Sequence, residues 1–393
     1  MLKLRPATVL EIVAPDVEGG AAGELPEQRL VVELDGVKGA RRTAIADVAL
    51  FGRSEVGDEV IVNVEALDLG LGSGGFDIVH VNLTRGLEHE GEGEAQAMKL
   101  NYTSLQHAVT PVEEGHLQIP LAGPVAVLAL HGQLAALAWA FAQHFPSGRL
   151  GYVQTEGGAL PGGHSRTVGR LRELGLLAGH LTAGAAFGGE GEAITTAGAL
   201  HHGLGTLGWD AAVCGPGPGI VGSGSPLGHG GMAALDSAHV ALALGCPTLL
   251  VARMSTSDDR ERHRGISHHT LTVLDLLLEP VTVALPAGMR SPVGADLRAG
   301  LGAVFGGAMP NQPSRARPAL ALDVERPVRI TRHDWRRATV NLPAYVSSGL
   351  PTETMGRSLT EDPLFFGAAL AGGTALAEMV AEGADSDEGA GEG

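Results

Sequence analysis

Three histidines stand close together in one short, highly charged stretch of the chain, residues 258–270. They are His263, His268 and His269. Ser267 is a residue type that starts helices, and leucines at helical spacing follow it, which predicts that the last two histidines lie in the first turn of a helix. Because a helix start disfavours an imidazolium, we expect neutral imidazoles there, and neutral imidazoles can act as catalytic bases.

A metal centre is an alternative use of the same side chains. The His268 and His269 pair would need a further ligand, for which Asp259 and His263 are the candidates. Their spacing matches neither HExxH nor any other zinc pattern. No residue is therefore assigned as a metal ligand, and a metal-dependent hydrolase built on this acid–histidine cluster stays an alternative.

Arginines in the same stretch favour an anionic ligand. Arginine occupies every second position around His263, at Arg260, Arg262 and Arg264. A guanidinium group binds carboxylates and phosphates through two parallel hydrogen bonds, so these three arginines are candidate ligand-binding residues. The alternative is a surface turn in which the arginines form ion pairs with neighbouring carboxylates.

A glycine-rich loop is the second candidate site. Glycine lets backbone amides approach a ligand, and serine adds hydroxyl donors. The candidate ligand-binding residues in this loop are Gly215, Gly217, Gly219, Gly222, Ser223 and Ser225. The loop contains GxGxxG after a predicted strand, but no helix start follows the third glycine, as the dinucleotide fingerprint requires. The alternative is that the glycines serve tight packing. Glu156, at the end of another predicted strand, is a further candidate ligand residue.

The predicted elements bring these loops together. Short strands with glycine turns predict a small N-terminal β barrel or sandwich, and alternating strands and helices then predict a largely parallel α/β sheet. The predicted divisions are a β-rich domain at 1–85, an acidic Gly/Glu linker at 86–97, an α/β domain at 98–380 and an acidic disordered tail at 381–393. Ligands of open α/β sheets bind at the carboxyl ends of the strands, where the glycine loops are expected to lie.

Composition excludes several classes of protein. The 393 residues carry 44 acidic and 27 basic side chains, a net charge of −17 that disfavours nucleic-acid binding. Cys214 and Cys246 form no CxxC motif. The apolar stretch 121–143 is interrupted by polar residues and is interpreted as a strand and a packed helix, not a membrane span. With no predicted signal peptide, the expected location is the cytoplasm.

Four separated motifs resemble one bacterial family of uncharacterised proteins, described only as a domain of unknown function. The family signature KLRYTPLQ is similar to residues 99–106, with Asn101 and Ser104 in place of its arginine and proline. The other motifs are TEGGALP at 155–161, GPGIVGSG at 217–224 and RERHRGISHHTL at 260–271. The resemblance implies a bacterial, cytoplasmic protein, but it names no reaction, and any cofactor stays unknown.

Three hypotheses follow. The first is a protein that binds a small anionic, phosphorylated or carboxylated ligand at the strand ends; as a hydrolase or transferase it would use His268 or His269 as base. The second is the metal-dependent hydrolase. The third is a non-catalytic scaffold or homo-oligomer. The sequence leaves open whether the protein is an enzyme and whether identical chains associate.

Overall fold

The chain forms two compact units, Met1–Thr110 and Pro111–Gly393. The computed structural model describes residues 2–13, 27–36, 39–71, 74–87, 95–113, 115–288 and 326–390. The linker was predicted at residues 86–97, of which 88–94 lie outside the described residues. The hairpin after it, β6 (Ala97–Lys99) with β7 (His107–Val109), belongs to the first unit.

The first unit contains a closed five-stranded barrel, which confirms the predicted small β domain. Every second residue of the β2 strand is buried, as expected for a strand with one face toward a core. The strands pair in the order β1-β2-β3-β5-β4, and β4 closes the barrel on β1. The elements are β1 (Leu4–Val13), β2 (Glu27–Leu34), β3 (Arg41–Asp47), α1 (Val48–Phe51), β4 (Glu59–Asn63), α2 (Glu65–Asp68) and β5 (Asp77–Asn82).

The second unit is built on an eight-stranded sheet in which every neighbouring pair is parallel, as the sequence predicted. Its strands are β8 (Val125–Val127), β9 (Leu150–Thr155), β10 (Gly179–Ala183), β11 (Gly191–Ala193), β12 (Ala211–Pro216), β13 (Thr248–Val251), β16 (Thr282–Pro286) and β17 (Asp334–Ala338). Two small antiparallel ribbons complete the strands: β14 (Met254–Ser255) with β15 (Gly265–Ile266), and β18 (Glu353–Thr354) with β19 (Arg357–Ser358).

The strand order places a topological switch at the centre of the sheet. The order is β11-β10-β9-β12-β8-β13-β16-β17, so β8 lies between two strands that come much later in the chain. Connections leave β8 and β13 toward opposite edges of the sheet. A crevice outside the carboxyl ends of such strands is where α/β proteins bind ligands.

Helices cover both faces of this sheet, which explains why its central strands are continuously buried. One core packs α3, α4 and α10 against the sheet, and the other packs α5, α6 and α7. The helices are α3 (Leu134–His144), α4 (Arg166–Glu173), α5 (Thr196–His201), α6 (Ala233–Ala243), α7 (His268–Leu276), α8 (Arg326–Thr331), α9 (Leu342–Val346) and α10 (Pro363–Ala390).

The terminal helix α10 is apolar along most of its length. Its segment Pro363–Ala384 is long and apolar enough to cross a membrane, but 83% of the apolar window is buried inside the structure, as in the core helix of a soluble protein. The sequence predicted a disordered tail from residue 381, whereas α10 continues to Ala390. Glu382 is held by Arg336 at 2.8 Å, a contact from β17 that the local composition does not reveal.

Candidate functional site

The predicted catalytic histidines lie beyond the carboxyl end of β13, where the chain folds back on itself before α7. The β14–β15 ribbon pairs Met254 with Ile266 and closes the charged segment between them into a loop. Ser267 then caps α7, because its Oγ accepts a hydrogen bond from the His269 backbone N–H at 3.3 Å. The predicted cap is confirmed, and it sets His268 and His269 in the first helical turn.

Four imidazole rings meet at this point, and we call them the histidine cluster: His229, His263, His268 and His269. One ring nitrogen from each of the last three lies within 4.8 Å of the others. Those three residues are 0%, 8% and 3% exposed, and His229 is half-buried. Ring centroids lie 3.7 Å apart for His229 and His269, 4.0 Å for His268 and His269, 4.9 Å for His263 and His269, and 5.0 Å for His263 and His268.

In three of these rings, one nitrogen lies within hydrogen-bonding distance of a neighbouring group. His263 Nδ1 lies 2.8 Å from Ser267 Oγ, and His229 Nδ1 accepts from the Gly231 backbone N–H at 2.9 Å. The Arg253 guanidinium lies 3.3 Å from His269 Nδ1. The Nε2 atoms of His263 and His269 are buried and have no hydrogen-bond partner among the described residues. Buried polar atoms of this kind point to a partner supplied from outside the chain.

Three rings of the cluster, His229, His263 and His269, are uncharged at neutral pH. Burial lowers the pKa of His263 to about 3, with Arg253 and Arg260 adding electrostatic repulsion. Burial also lowers the pKa of His269 to about 2, and the neighbouring imidazoles His229 and His268 reinforce the effect. Neutral imidazole offers a nitrogen lone pair, which a metal ligand and a general base both need.

A buried carboxylate beside the cluster gathers three arginines. Asp258 accepts hydrogen bonds from Arg253 at 3.3 Å, from Arg260 at 2.9 and 3.1 Å, and from Arg357 at 3.3 Å. Burial by itself raises the pKa of Asp258, but hydrogen bonds from the side chain and backbone of Arg260 outweigh it, so the pKa lies below its usual value. Asp362 is the second carboxylate, and it accepts from Arg357 at 3.2 Å.

This network joins charges of both signs. Three guanidinium groups bind two carboxylates directly, and the carboxylates of Asp259 and Glu361 interact with Arg260 and Arg357. Arg253 is 2% exposed, and its Nε has no hydrogen-bond partner among the described residues. Burial lowers its pKa to about 10, so it stays charged at neutral pH. Arg253 therefore places a buried positive charge and an unused donor beside the histidine cluster.

The predicted glycine loops pack against one another. A Cβ on Gly217 would lie 2.4 Å from the Ala159 carbonyl oxygen, and a Cβ on Gly157, whose φ is +106°, would lie 2.3 Å from that of Gly230. Gly215 is buried within β12. No helix begins at Gly222, since the first one after the loop is α6, so the structural context of the dinucleotide fingerprint is not met. The buried glycines thus serve close backbone packing.

The remaining predicted ligand residues lie on the surface. The exposed ones are Glu156, Gly219, Gly222, Ser223, Ser225, Arg260, Arg262 and Arg264. Ser223 Oγ donates to the Gly228 carbonyl oxygen at 3.0 Å, within its own loop. Arg264 Nε donates to the Asp258 backbone oxygen at 2.8 Å. Of these residues, the hydrogen bonds connect Arg260 and Arg264 to the Asp258 network.

Sequence reasoning named Asp258 only as one possible ion-pair partner of the neighbouring arginines, and it missed two other residues of the site. It chose Asp259 as the acidic partner, but Asp259 is exposed and Asp258 is the buried carboxylate. The two missed residues are Arg253 and His229. A charged residue directly after a buried strand is a signal that could have identified Arg253. His229 lies in the glycine loop far from the other histidines in sequence, so only the fold brings it to His269.

The family model described as "Protein of unknown function (DUF3866)" matches residues 43–373, and the chain therefore belongs to that family. This match confirms the resemblance found in the sequence. No curated protein and no solved structure matches the chain. The family description names no reaction, so a function has to be argued from the site.

Proposed function

We propose that this family member is a metal-dependent hydrolase that binds one divalent transition-metal ion through His263, His268 and His269. The observation that carries the proposal is the approach of one nitrogen from each ring to within 4.8 Å of the others in a buried cluster. Zinc–nitrogen bonds of 2.0–2.1 Å in a tetrahedral site put ligand nitrogens about 3.4 Å apart. Closing the difference needs only small ring movements.

The surroundings of His263 support the ligand assignment. Histidines that bind metals usually donate the hydrogen of their other ring nitrogen to an oxygen acceptor. His263 Nδ1 lies 2.8 Å from Ser267 Oγ, and with the proton on Nδ1 the lone pair is on Nε2. That Nε2 atom is the one that has no partner among the described residues.

Three histidine ligands favour a catalytic use over a structural one. Structural zinc sites are closed by four protein ligands, whereas catalytic sites keep a position for water or substrate. A metal bound there would lower the pKa of its water and supply a hydroxide for hydrolysis. The unused donor of the charged Arg253 favours an anionic substrate, with Arg260 as an exposed contact.

A second candidate function is binding of a small anion at the same cluster without a metal. Arg253 always donates, so without a metal its contact with His269 Nδ1 leaves the hydrogen of that neutral ring on Nε2, and metal binding at Nε2 would require that hydrogen to move and the Arg253 contact to break. His269 Nε2 and Arg253 Nε then both present donors that have no described acceptor. A phosphate or carboxylate oxygen would satisfy them, with His268 left to act as base.

In either case we place the protein in the cytoplasm, in keeping with its buried apolar helix and acidic composition.

The test is metal and anion binding to tag-free protein. The protein is stripped with a chelator, reloaded with zinc and dialysed, and we expect it to retain one zinc ion per chain. At a free zinc concentration a thousandfold above its Kd, zinc should stabilise the folded protein by about 4 kcal/mol. His263→Ala should abolish the stabilisation, whereas His116→Ala, at an exposed histidine, should keep it.

The outcomes separate the two candidates. Stabilisation by inorganic phosphate with no metal bound would replace the first candidate by the second. An absence of response to zinc, manganese, nickel and phosphate would contradict both.

A further inference from the structure

A second polar cluster lies at the same edge of the sheet, and it includes a hydrogen-bonded serine and histidine. Ser165 Oγ lies 2.7 Å from His131 Nε2, and His131 Nδ1 lies 3.3 Å from the Tyr152 hydroxyl. His180 stacks on Tyr152 with ring centroids 5.3 Å apart. We call these four residues the serine–histidine network. His131 follows β8, and Ser165 ends the loop before α4. Tyr152 lies on β9, and His180 lies on β10.

The hydrogen bonds determine the tautomer of His131. The Tyr152 hydroxyl donates its only hydrogen toward the carbonyl oxygens of Gly215 and Pro216, at 3.1 and 3.0 Å. With that hydrogen on the carbonyl oxygens, His131 Nδ1 donates toward the tyrosine oxygen and the Pro216 carbonyl, and its Nε2 presents a lone pair to Ser165. The serine hydroxyl donates to that lone pair. This arrangement is a nucleophile, a base and a group that orients the base.

The role of Ser165 as the cap of α4 does not account for its contact with His131. Ser165 Oγ caps α4 by accepting the Val168 backbone N–H at 3.1 Å, which uses an oxygen lone pair and leaves the hydroxyl hydrogen for His131. Burial lowers the pKa of His131 to about 4, so the ring is a neutral acceptor at physiological pH.

A further observation points to a missing ligand. His180 is 4% exposed, and its Nε2 has no hydrogen-bond partner among the described residues. Its Cε1, the neighbouring ring atom, faces Gly162, where an added Cβ would lie 2.7 Å away. Gly162 begins the short turn that ends at Ser165. A polar group of a bound molecule beside this turn would satisfy His180. Ser165 and His131 are 5% and 8% exposed, so neither is completely enclosed.

We propose that Ser165 is a nucleophile for acyl transfer, with His131 as its general base, and that it accepts small esters or thioesters. Ser165 Oγ attacks the acyl carbon while its proton passes to His131 Nε2. The alcohol or thiol leaves with that proton as its bond to carbon breaks, and the acyl group stays on Ser165. Water then gives a proton to His131 and attacks the ester, and the carboxylic acid leaves as Ser165 regains its proton.

This site does not depend on the proposed metal centre. It uses none of the histidine cluster, and its chemistry needs no metal. All assays therefore include a chelator, so that a failure here and a failure of the metal proposal can be told apart.

The experiment treats the full chain with p-nitrophenyl acetate and, separately, with phenylmethanesulfonyl fluoride, and maps the adduct by mass spectrometry. We expect acetyl and sulfonyl adducts on Ser165 and at least a hundredfold slower modification in His131→Gln, since general bases contribute roughly 10²–10⁴-fold. Ser165→Ala should lose the adduct. Ser165→Asn should also lose it while keeping a good helix cap, which separates loss of the nucleophile from loss of the fold. Ser347→Ala, an exposed serine of the loop after α9, is the matched control.

Either of two results would overturn the proposal. Folded wild-type protein that forms no adduct at Ser165 with either reagent would do so. An adduct at Ser165 that forms equally fast in His131→Gln would also do so, because the serine would then not be activated by its neighbour.

Discussion

Two serine–histidine pairs lie beyond the carboxyl ends of the parallel strands, and both serines cap helices. Ser165 caps α4 and lies 2.7 Å from His131; Ser267 caps α7 and lies 2.8 Å from His263. The pairs differ in the nitrogen that faces the serine, which is Nε2 in the first and Nδ1 in the second. Tyr152 occupies the other nitrogen of His131, whereas the other nitrogen of His263 has no partner among the described residues.

The difference shows that the role of a histidine depends on what its second nitrogen contacts. In the first pair the tyrosine oxygen takes the ring hydrogen, so the ring can accept a proton from serine. In the second pair the serine can take the ring hydrogen, so the lone pair points away from the serine and toward the other imidazoles. The same two residue types thus fit a nucleophile in one place and a metal ligand in the other.

Acid is expected to have the largest effect on both pairs. Burial lowers the pKa of His131 to about 4 and that of His263 to about 3, against an unfolded value of about 6.5. The unfolded chain therefore binds more protons between these limits, and the stability present above pH 6.5 is lost as the pH falls. His131 alone should remove about 2 kcal/mol of unfolding free energy between pH 7 and pH 4.5.

Urea unfolding at the two pH values measures this loss. His131→Gln should show a smaller difference between them, by about the same amount. Equal losses in the variant and the wild type would mean that the pKa of His131 is the same in the folded and the unfolded chain, which would contradict the buried, desolvated ring described for the first pair.

Removing the serine of the second pair should weaken metal binding. In Ser267→Ala the hydrogen on His263 Nδ1 has no acceptor, and losing such an outer partner costs about 10- to 100-fold in metal affinity. Calorimetric titration with zinc measures the change. Asn341→Ala removes the cap of α9, whose Ala344 N–H it accepts at 3.0 Å, and should leave zinc affinity unchanged. An equal loss in both variants would show an effect of helix stability.

The smallest expected effect concerns the orienting hydroxyl of the first pair. Tyr152→Phe keeps the ring but removes one of two acceptors beside His131, the other being the Pro216 carbonyl, so the other tautomer becomes more accessible and modification of Ser165 should slow by no more than about tenfold. Tyr345→Phe is the control, because Tyr345 is also buried and its hydroxyl donates to the Pro351 carbonyl at 2.7 Å. Unaltered kinetics in Tyr152→Phe would mean that packing alone orients His131.

Much of the fold could be predicted from local pattern. Short strands with glycine turns indicated the barrel, and alternating strands and helices indicated the parallel sheet. The cap at Ser267 was predicted because capping depends on residues a few positions apart. The end of α10 was not predicted, since Glu382 is held by Arg336 from a distant strand.

The candidate site was only partly accessible to the same reasoning. The sequence grouped His263, His268 and His269 because they lie within seven residues of one another, and the structure brings their nitrogens together. Choosing Asp258 over Asp259 required knowing which carboxylate points inward. Which carboxylate points inward depends on how the β14–β15 ribbon closes the loop between its strands. That loop is long enough for either aspartate to be the buried one.

By itself, the sequence determined the family, the alternation of strands and helices, the helix caps and the acidic surface charge. These depend on residue types and on spacings of a few residues, where chain geometry is the same in every protein. The tertiary structure decided the order of the strands, and with it the meeting of His229 with His269 and of Tyr152 with His131. Those contacts join residues 21 to 40 positions apart, and the ring nitrogen that each histidine presents is set by packing that no local pattern records.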